Sequence, residues 1–316
     1  MTYSSGGLIQ ATDYNGFVST TVAANVNATW NSTYGQTALA TVSTGGTVSA
    51  TQWASLVNTI TNMAAHQPTT VTARTAPVTG NTVSILANVN TDITDCFTNR
   101  YNAYAQGSQF TGWTGTNAQT AATSGATWTI TFTNTVTFAN ATAATNFFNS
   151  GGTVKIDVSK TSTGDLGDPE WNDLANTLCG DIYISGLATS HTIAGVAYTG
   201  TTQIGGTGTP TTLLTGTGWD ALSAGAAGTI VYKQFADTAP YTNNFIQHTI
   251  AKDATSTILT ITTLWSASDG DAISGGTAPS GATPGTAPCT IVTYYPPEST
   301  YLTNTWGTPT VAATTT

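Results

Sequence analysis

The acidic residues of one short segment are the part of this chain best suited to hydrolytic chemistry. Asp165, Asp168, Glu170 and Asp173 form its densest group of carboxylates, and cleavage of a glycosidic bond requires two carboxyl groups at a set separation. Asp168 and Glu170 are equally expected at the start of a helix, where negative side chains interact favourably with the helix dipole. Asp173 is then expected on the exposed face of that helix. We therefore interpret the group as structural.

Histidine, the usual general base, occurs only three times, as His66, His191 and His248. His66 is expected at a helix end just before Pro68, where a cation interacts favourably with the dipole. His191 and His248 lie in strand-like stretches, where a structural histidine is the common case. A serine or cysteine nucleophile requires an adjacent base, and the chain has no Gly-x-Ser-x-Gly motif to present a serine. The sequence predicts a protein that is not an enzyme.

No pattern for a metal or cofactor is found. Cys96, Cys179 and Cys289 are far apart and odd in number, so they fit neither a disulfide framework nor a zinc site, and we expect buried thiols. Asp269-Gly270-Asp271 lacks the further acidic ligands of an EF-hand loop. Gly205-Gly206-Thr207-Gly208 lacks the Lys-Ser or Lys-Thr that completes a phosphate-binding loop. We predict no cofactor and no metal ligand.

The charge balance excludes several classes of partner. Only 7% of the 316 residues are charged, against about a quarter in ordinary soluble domains, and Thr, Ser, Asn, Gly and Ala take their place. With 6 basic and 15 acidic residues, we expect no binding to nucleic acid, which needs clustered basic side chains, and no attraction to an anionic membrane. The first residues resemble no signal peptide, and no apolar run is long enough to cross a bilayer. We expect synthesis in the cytoplasm without secretion.

Amphipathic helices are predicted in the N-terminal third, residues 1–107. Apolar residues recur every four positions from Tyr14 to Trp30, and a second helix begins where Ser49 and Gln52 have capping-box spacing. A third apolar stripe extends from Ile85 to Tyr104. Because their outer faces carry Thr, Asn and Ala instead of charge, we expect the stripes to be buried in an assembly. The candidate assembly face comprises Val18, Val22, Val26, Trp30, Trp53, Leu56 and Ile60.

The remaining residues, 108–316, change to the two-residue period of half-buried strands. A short helix with Asp168 at its start and Gly180 at its end interrupts them. Residues 274–288 are expected to form a long loop, and Thr303 to Thr316 an extended tail. We predict a mainly β protein in which a β-sandwich-like region follows the helices. Strands are predicted around Trp128–Phe132, Val154–Val158, Ile182–Leu187, Thr229–Phe235, Phe245–Ile250, Thr257–Leu264 and Thr290–Tyr295.

Three short segments of the first half resemble virion proteins of tailed bacteriophages. They are Ile9-Gln10-Ala11-Thr12-Asp13-Tyr14-Asn15, Trp30-Asn31-Ser32-Thr33-Tyr34-Gly35-Gln36 and Phe147-Phe148-Asn149-Ser150-Gly151-Gly152-Thr153-Val154-Lys155-Ile156. The resemblance implies a structural protein of the virus particle, tail-fibre-like in type, and it carries no catalytic residue. A chain without a signal peptide would then reach the outside of the host cell in a particle released by lysis.

The expected function is that of a tail-fibre or appendage subunit. We expect partners to be copies of the same chain, with a trimer as the candidate form, other virion proteins, and a receptor on the host surface. Aromatic residues commonly anchor such interfaces, so Trp113, Tyr294 and Tyr295 are the candidate surface contacts. A capsid decoration or cement protein is the structural alternative. A polysaccharide-cleaving tail spike is less favoured, because no repeat typical of a β-helix is present.

Overall fold

A computed structural model describes residues 11–19, 24–79, 88–104, 111–112, 117–118, 128–160, 168–268 and 289–315. The helices are α1 (Ala11–Val18), α2 (Val26–Trp30), α3 (Ala50–His66), α4 (Val89–Thr98), α5 (Ala141–Asn149) and α6 (Asp168–Asp173), which continues into one π-helical turn (Leu174–Leu178). The strands are β1 (Thr111–Gly112), β2 (Asn117–Ala118), β3 (Trp128–Thr137), β4 (Thr153–Ser159), β5 (Asp181–Ile184), β6 (His191–Ile193), β7 (Val196–Tyr198), β8 (Thr201–Ile204), β9 (Thr212–Leu213), β10 (Thr229–Phe235), β11 (Phe245–Lys252), β12 (Ile258–Ala267), β13 (Cys289–Tyr295) and β14 (Thr310–Thr315).

The strands form two large antiparallel sheets. The first sheet has the order β1-β13-β4-β5-β8, with β2 also pairing with β13, and the second has the order β14-β3-β12-β11-β10-β9. The strands β6 and β7 form a separate hairpin. Every long strand predicted from two-residue alternation is present, although the strand predicted over 182–187 ends at Ile184. Burial alternates most clearly along β4 and β11, where one side of the strand is buried and the other is not.

The predicted fold class holds in part, because the protein has the expected helices and sheets but is not clearly mainly β. Helix accounts for 26% of the structure and strand for 29%, so helices followed by antiparallel sheets are the accurate description. The unpredicted helix α5 accounts for part of the difference. Its Phe147 and Phe148 pack on Phe138 with ring centroids 5.2 and 5.8 Å apart, and Phe148 stacks on Trp219 at 5.1 Å. The helix is therefore a part of the core.

The second predicted helix is confirmed, whereas the first and third differ in extent. At the start of α3, the Ser49 hydroxyl accepts the Gln52 amide and the Gln52 side chain accepts the Ser49 amide, which is the expected capping box. The first helix does not continue to Trp30, since Asn25 is extended and its side chain caps α2 instead. The third, α4, ends at Thr98, and residues 80–87 and 105–110 lie outside the described residues.

The helices and sheets share one core across the predicted division at residue 107. A single cluster of buried apolar residues extends from Tyr14 in α1 to Trp306 near the C-terminal strand. Polar contacts join the same parts: His66 Nε2 donates to the Ser150 carbonyl at 3.1 Å, and the Gln36 side chain exchanges two hydrogen bonds with the Thr303 backbone at 2.8 and 2.9 Å. The proposed division therefore does not coincide with a gap in packing.

The C-terminal segment predicted as an extended tail is packed on the protein and contains strand β14. Leu302 and Trp306 are each only 2% exposed, and β14 pairs with β3 along its length. An extended tail was expected because Thr and Ala carry little apolar signal, but the main chain supplies the hydrogen bonds of an added strand. The predicted loop 274–288 and the Asp269-Gly270-Asp271 segment lie outside the described residues.

The short helix predicted in the β region is confirmed, and it packs against β12 of the second sheet. Trp171, Leu174 and Leu178 are buried, and the indole of Trp171 stacks on Trp265 of β12 at 5.7 Å. Gly180 ends the segment with a φ of +64°, and a Cβ there would lie 2.6 Å from the Gly205 backbone. Glycine is therefore required at this position for two separate reasons.

We predict that stability falls in acid partly because of His66. Burial lowers the pKa of this imidazole from 6.5 to about 4, so protons bind the unfolded chain more readily. Its contribution is complete above pH 6.5 and is lost as the pH falls toward 4. Between pH 7.5 and pH 5, this loss is about 2 kcal/mol. Urea unfolding at both pH values measures it.

The control for this prediction is His66→Gln, which keeps an N–H that can reach the Ser150 carbonyl but cannot titrate. We expect this variant to lose about 2 kcal/mol less than the unaltered protein over the same pH interval. Equal losses in the two proteins would contradict the assignment.

Candidate functional site

Most residues of the predicted assembly face pack in the core of the chain itself. Tyr14 meets the Trp53 ring edge-on at 5.4 Å, and Trp30 is partly buried with its indole donating to the Thr37 carbonyl. The stripes of these helices pack on one another and belong to the core cluster that also contains the sheets, so they are not available to a sister chain. This corrects the prediction for the five residues that are each at most 2% exposed: Val18, Val26, Trp53, Leu56 and Ile60. Val22 lies outside the described residues.

Strand geometry places two of the predicted surface contacts, Tyr294 and Tyr295 of β13, on opposite sides of the sheet. Tyr294 is only 3% exposed and its ring lies 6.2 Å from that of Phe147, so it belongs to the core and not to the surface. Tyr295, the next residue of β13, is on the opposite side and is partly exposed. Neighbouring residues of a strand point to opposite sides of the sheet. Only one of the two tyrosines predicted as surface contacts can therefore lie on the surface. Trp113 lies outside the described residues.

Tyr295 belongs to a group of aromatic side chains on the outer side of the first sheet. We name Tyr183, Tyr198 and Tyr295 the tyrosine face. The Tyr183 ring in β5 lies 5.6 Å from that of Tyr198 in β7 and 6.1 Å from that of Tyr295 in β13. Two of the three residues, Tyr183 and Tyr295, are partly exposed. The face thus combines three strands that are distant in sequence.

A charged group lies within the tyrosine face on β4 and β5. Val154, Ile156 and Val158 of β4 are buried in the core, so the alternating residues Lys155 and Asp157 point to the outer side. The Lys155 ammonium lies 3.5 Å from the Asp157 carboxylate and 3.4 Å from that of Asp181. These side chains keep between 17 and 36% of their area exposed, so water screens the ion pairs.

The electrostatics of this face favour hydrogen bonding over proton transfer. Partial burial would lower the pKa of Lys155, but the carboxylates of Asp157 and Asp181 outweigh burial and raise it. Burial raises the pKa of Tyr183 and Tyr198, and the Tyr295 phenol raises both further. Near neutral pH the face therefore presents the Lys155 ammonium group and the neutral phenols of Tyr183 and Tyr198, which can donate hydrogen bonds.

The hairpin of β6 and β7 holds Tyr198 in place and was not predicted. Its two central residues, Ala194 and Gly195, have φ values of +52° and +81°, as a two-residue type I′ turn requires. The hairpin is attached to the segment after α4, where the Asn102 side chain accepts the Thr192 amide at 2.9 Å and Ala103 donates to the Thr192 carbonyl at 2.8 Å. Three-residue strands leave too little alternation to be recognised in the sequence.

The histidines of the described residues do not form an accessible nucleophile–base pair. His66 and His191 bond backbone carbonyls, at Ser150 and Thr189. His248 lies 2.9 Å from the Thr263 hydroxyl, but both residues are 0% exposed, and a substrate could not reach them. Burial lowers the pKa of all three imidazoles.

The predicted acidic group is partly assembled by the fold. Asp165 and the side chain of Asp168 lie outside the described residues. Glu170 and Asp173 lie close to Asp237, which the sequence did not connect with them. Because Asp237 follows β10, only the packing of α6 on the second sheet brings the three together.

Comparison with known proteins gives no further guide to this surface. No protein-family model, curated protein or solved structure matches the chain. Among the described residues, none of the helices combines the length and the apolar composition that crossing a bilayer requires.

We predict that the two neighbouring tyrosines of β13 differ strongly in their effect on stability. Tyr294→Ala leaves a cavity against Phe147 and is expected to cost about 3–5 kcal/mol. Tyr295→Ala removes a partly exposed ring and is expected to cost less than about 1 kcal/mol. Urea unfolding of both variants measures the difference, and similar losses would contradict the inward and outward assignment.

We also predict that Ala194→Asn stabilises the protein by about 0.5–1 kcal/mol, because asparagine tolerates the left-handed conformation better than alanine does. The matched control is Ala197→Asn, which places the same side chain on an exposed position of β7 and is expected to be neutral or slightly destabilising. Thermal unfolding of both variants tests the turn assignment. A loss of stability in Ala194→Asn would contradict it.

Proposed function

We propose that this chain is a non-enzymatic structural subunit of a tailed-phage particle, a tail-fibre-like or other appendage subunit, and that the tyrosine face is its contact surface. The observation that carries the proposal is the convergence of Tyr183, Tyr198 and Tyr295 around Lys155 on the outer side of a sheet. The three sequence segments that resemble phage virion proteins support the particle as its location.

The chemistry of the tyrosine face suits a polar, uncharged partner. Tyrosine supplies a large rigid ring and a hydroxyl at low cost in conformational entropy, which explains its frequent use at interfaces. The Lys155 charge is more than offset by the carboxylates of Asp157 and Asp181, so the small net charge of this group does not select strongly charged partners. Hydroxyl-rich sugars of a host surface and threonine-rich surfaces of other virion proteins both match these properties.

We further propose that the two sheets form a sandwich-like body with helices inserted between them. Support comes from the π-helical turn, which contacts β4 of the first sheet and β10 and β11 of the second. The Tyr232 hydroxyl of β10 also donates to the Cys179 carbonyl at 3.0 Å, and Gln203 of β8 donates to the same carbonyl at 2.7 Å.

A capsid decoration protein is the second candidate, since a neutral surface and a contact face would serve it equally. Copy number separates the two. A few dozen copies or fewer per particle favour an appendage, and hundreds favour the capsid. Self-association, including a trimer, stays a prediction that sedimentation of the purified chain measures, and its surface would differ from the buried helical stripes.

A cryo-EM reconstruction of the particle at medium resolution tests the location. We expect the density of this chain at the tail or neck. Density over the capsid lattice would replace the appendage proposal with the decoration protein, and the absence of the chain from purified particles would contradict both.

We predict that a Tyr183→Ala, Tyr295→Ala double variant loses contact with its partner. Removal of two central aromatic anchors is expected to weaken binding at least about tenfold. Binding of the labelled protein to host cells, and its incorporation into particles that lack the native chain, measure the loss for the two kinds of partner. Tyr301→Ala, at a tyrosine that is 37% exposed outside the face, is the control. Full activity of the double variant in both assays would contradict the assignment of the face.

A further inference from the structure

Three carboxylates from two parts of the chain converge beside α6. Glu170 and Asp173 are three residues apart on this helix and therefore lie on the same face. Asp237 belongs to the connection between β10 and β11. Each residue can offer one oxygen such that all three oxygens lie within 4.8 Å of one another. Like charges at this distance repel unless something offsets them.

Glu170 gives the second, independent observation. Glu170 is only 8% exposed, and its Oε1 atom is buried without a hydrogen-bond partner. Hydrogen bonds from Thr238 to this carboxylate are too few to satisfy both oxygens. A buried carboxylate oxygen that lacks a partner is costly, so a ligand at this position would relieve a real penalty.

We propose that Glu170, Asp173 and Asp237 bind a calcium ion. Carboxylate oxygens without nitrogen or sulfur ligands suit a hard divalent cation. The three oxygens lie within 4.8 Å of one another, so one calcium ion, whose ligands lie about 2.3–2.6 Å away, can contact all of them. Magnesium keeps several of its own waters and is usually held by only one or two carboxylates, so a set of three carboxylates favours calcium. Exposed Asp237 and half-buried Asp173 leave room for water to complete the coordination.

The ion would link α6 to the second sheet. Trp171, next to Glu170, already stacks on Trp265 of that sheet, and Thr238 bonds the Glu170 carboxylate from the connection after β10. Calcium would add a bond between the same two parts and remove the repulsion between their carboxylates. This inference does not depend on the proposed function, because it concerns a site away from the tyrosine-face residues.

Calorimetric titration of the full chain, stripped of metal with a chelator, tests the proposal. We expect uptake of one calcium ion and, at saturating calcium, a rise in Tm of at least about 3 °C. The variants Asp173→Asn and Asp237→Asn each remove one ligand charge at an accessible position, and both are expected to lose the response. Asp95→Asn, which removes a carboxylate from α4, is the matched control and is expected to respond as the unaltered protein does.

Glu170→Gln separates metal binding from a merely structural role. Without calcium, we expect this variant to be at least as stable as the unaltered protein, because it removes a buried charge near two others. With calcium, the order is expected to reverse, since only the unaltered protein gains from the ion. The proposal is overturned if the chain takes up no calcium, if Asp173→Asn and Asp237→Asn respond like Asp95→Asn, or if magnesium gives an equal response at equal concentration.

Discussion

Burial of the helical stripes in a core that they share with the chain's own sheets is the constraint on which the rest of the structure depends. Trp53, Leu56 and Ile60 of α3 join the same core as Ile156 of β4 and Trp265 of β12. Because α1, α2 and α4 have 8, 5 and 10 residues, they would be marginal alone and are stabilised by this packing. The first sheet then presents its outer side to the surroundings, and the tyrosine face is a consequence of that arrangement.

The few positive charges of the chain are largely engaged by its own side chains. Arg100 lies over the Phe97 ring at 4.0 Å, Lys233 over Phe245 at 3.7 Å and Lys252 over Trp219 at 4.4 Å. Such contacts contribute about 0.5–1 kcal/mol at exposed sites and more where the cation is desolvated. Arg74 pairs with Asp92, and Lys155 with its two carboxylates. A surface formed this way depends on hydroxyls and amides for its solubility and its contacts.

Local sequence signals predicted the regular elements well and the long-range arrangement poorly. The capping box of α3 and the alternation of β4 and β12 are readable because each depends on residues within a few positions. Helix α5 has an N-cap, Asn140, whose side chain accepts the Ala143 amide, but it was missed because Ala and Thr dominate its start and Phe147 and Phe148 are adjacent. Tyr183 and Asp237 acquire their neighbours only through strand pairing and helix packing. The candidate sites therefore could not be assembled from spacing alone.

The position of β3 has a consequence for how the chain folds. Its neighbours in the second sheet are β12 and β14, both of which lie far along the sequence. Pairing between such distant segments must close long loops first, which slows folding. During synthesis, the apolar residues Ile130 and Phe132 emerge from the ribosome long before either partner strand does. Such a nascent chain exposes these apolar residues until its last strands are made, and it is prone to aggregation during that interval.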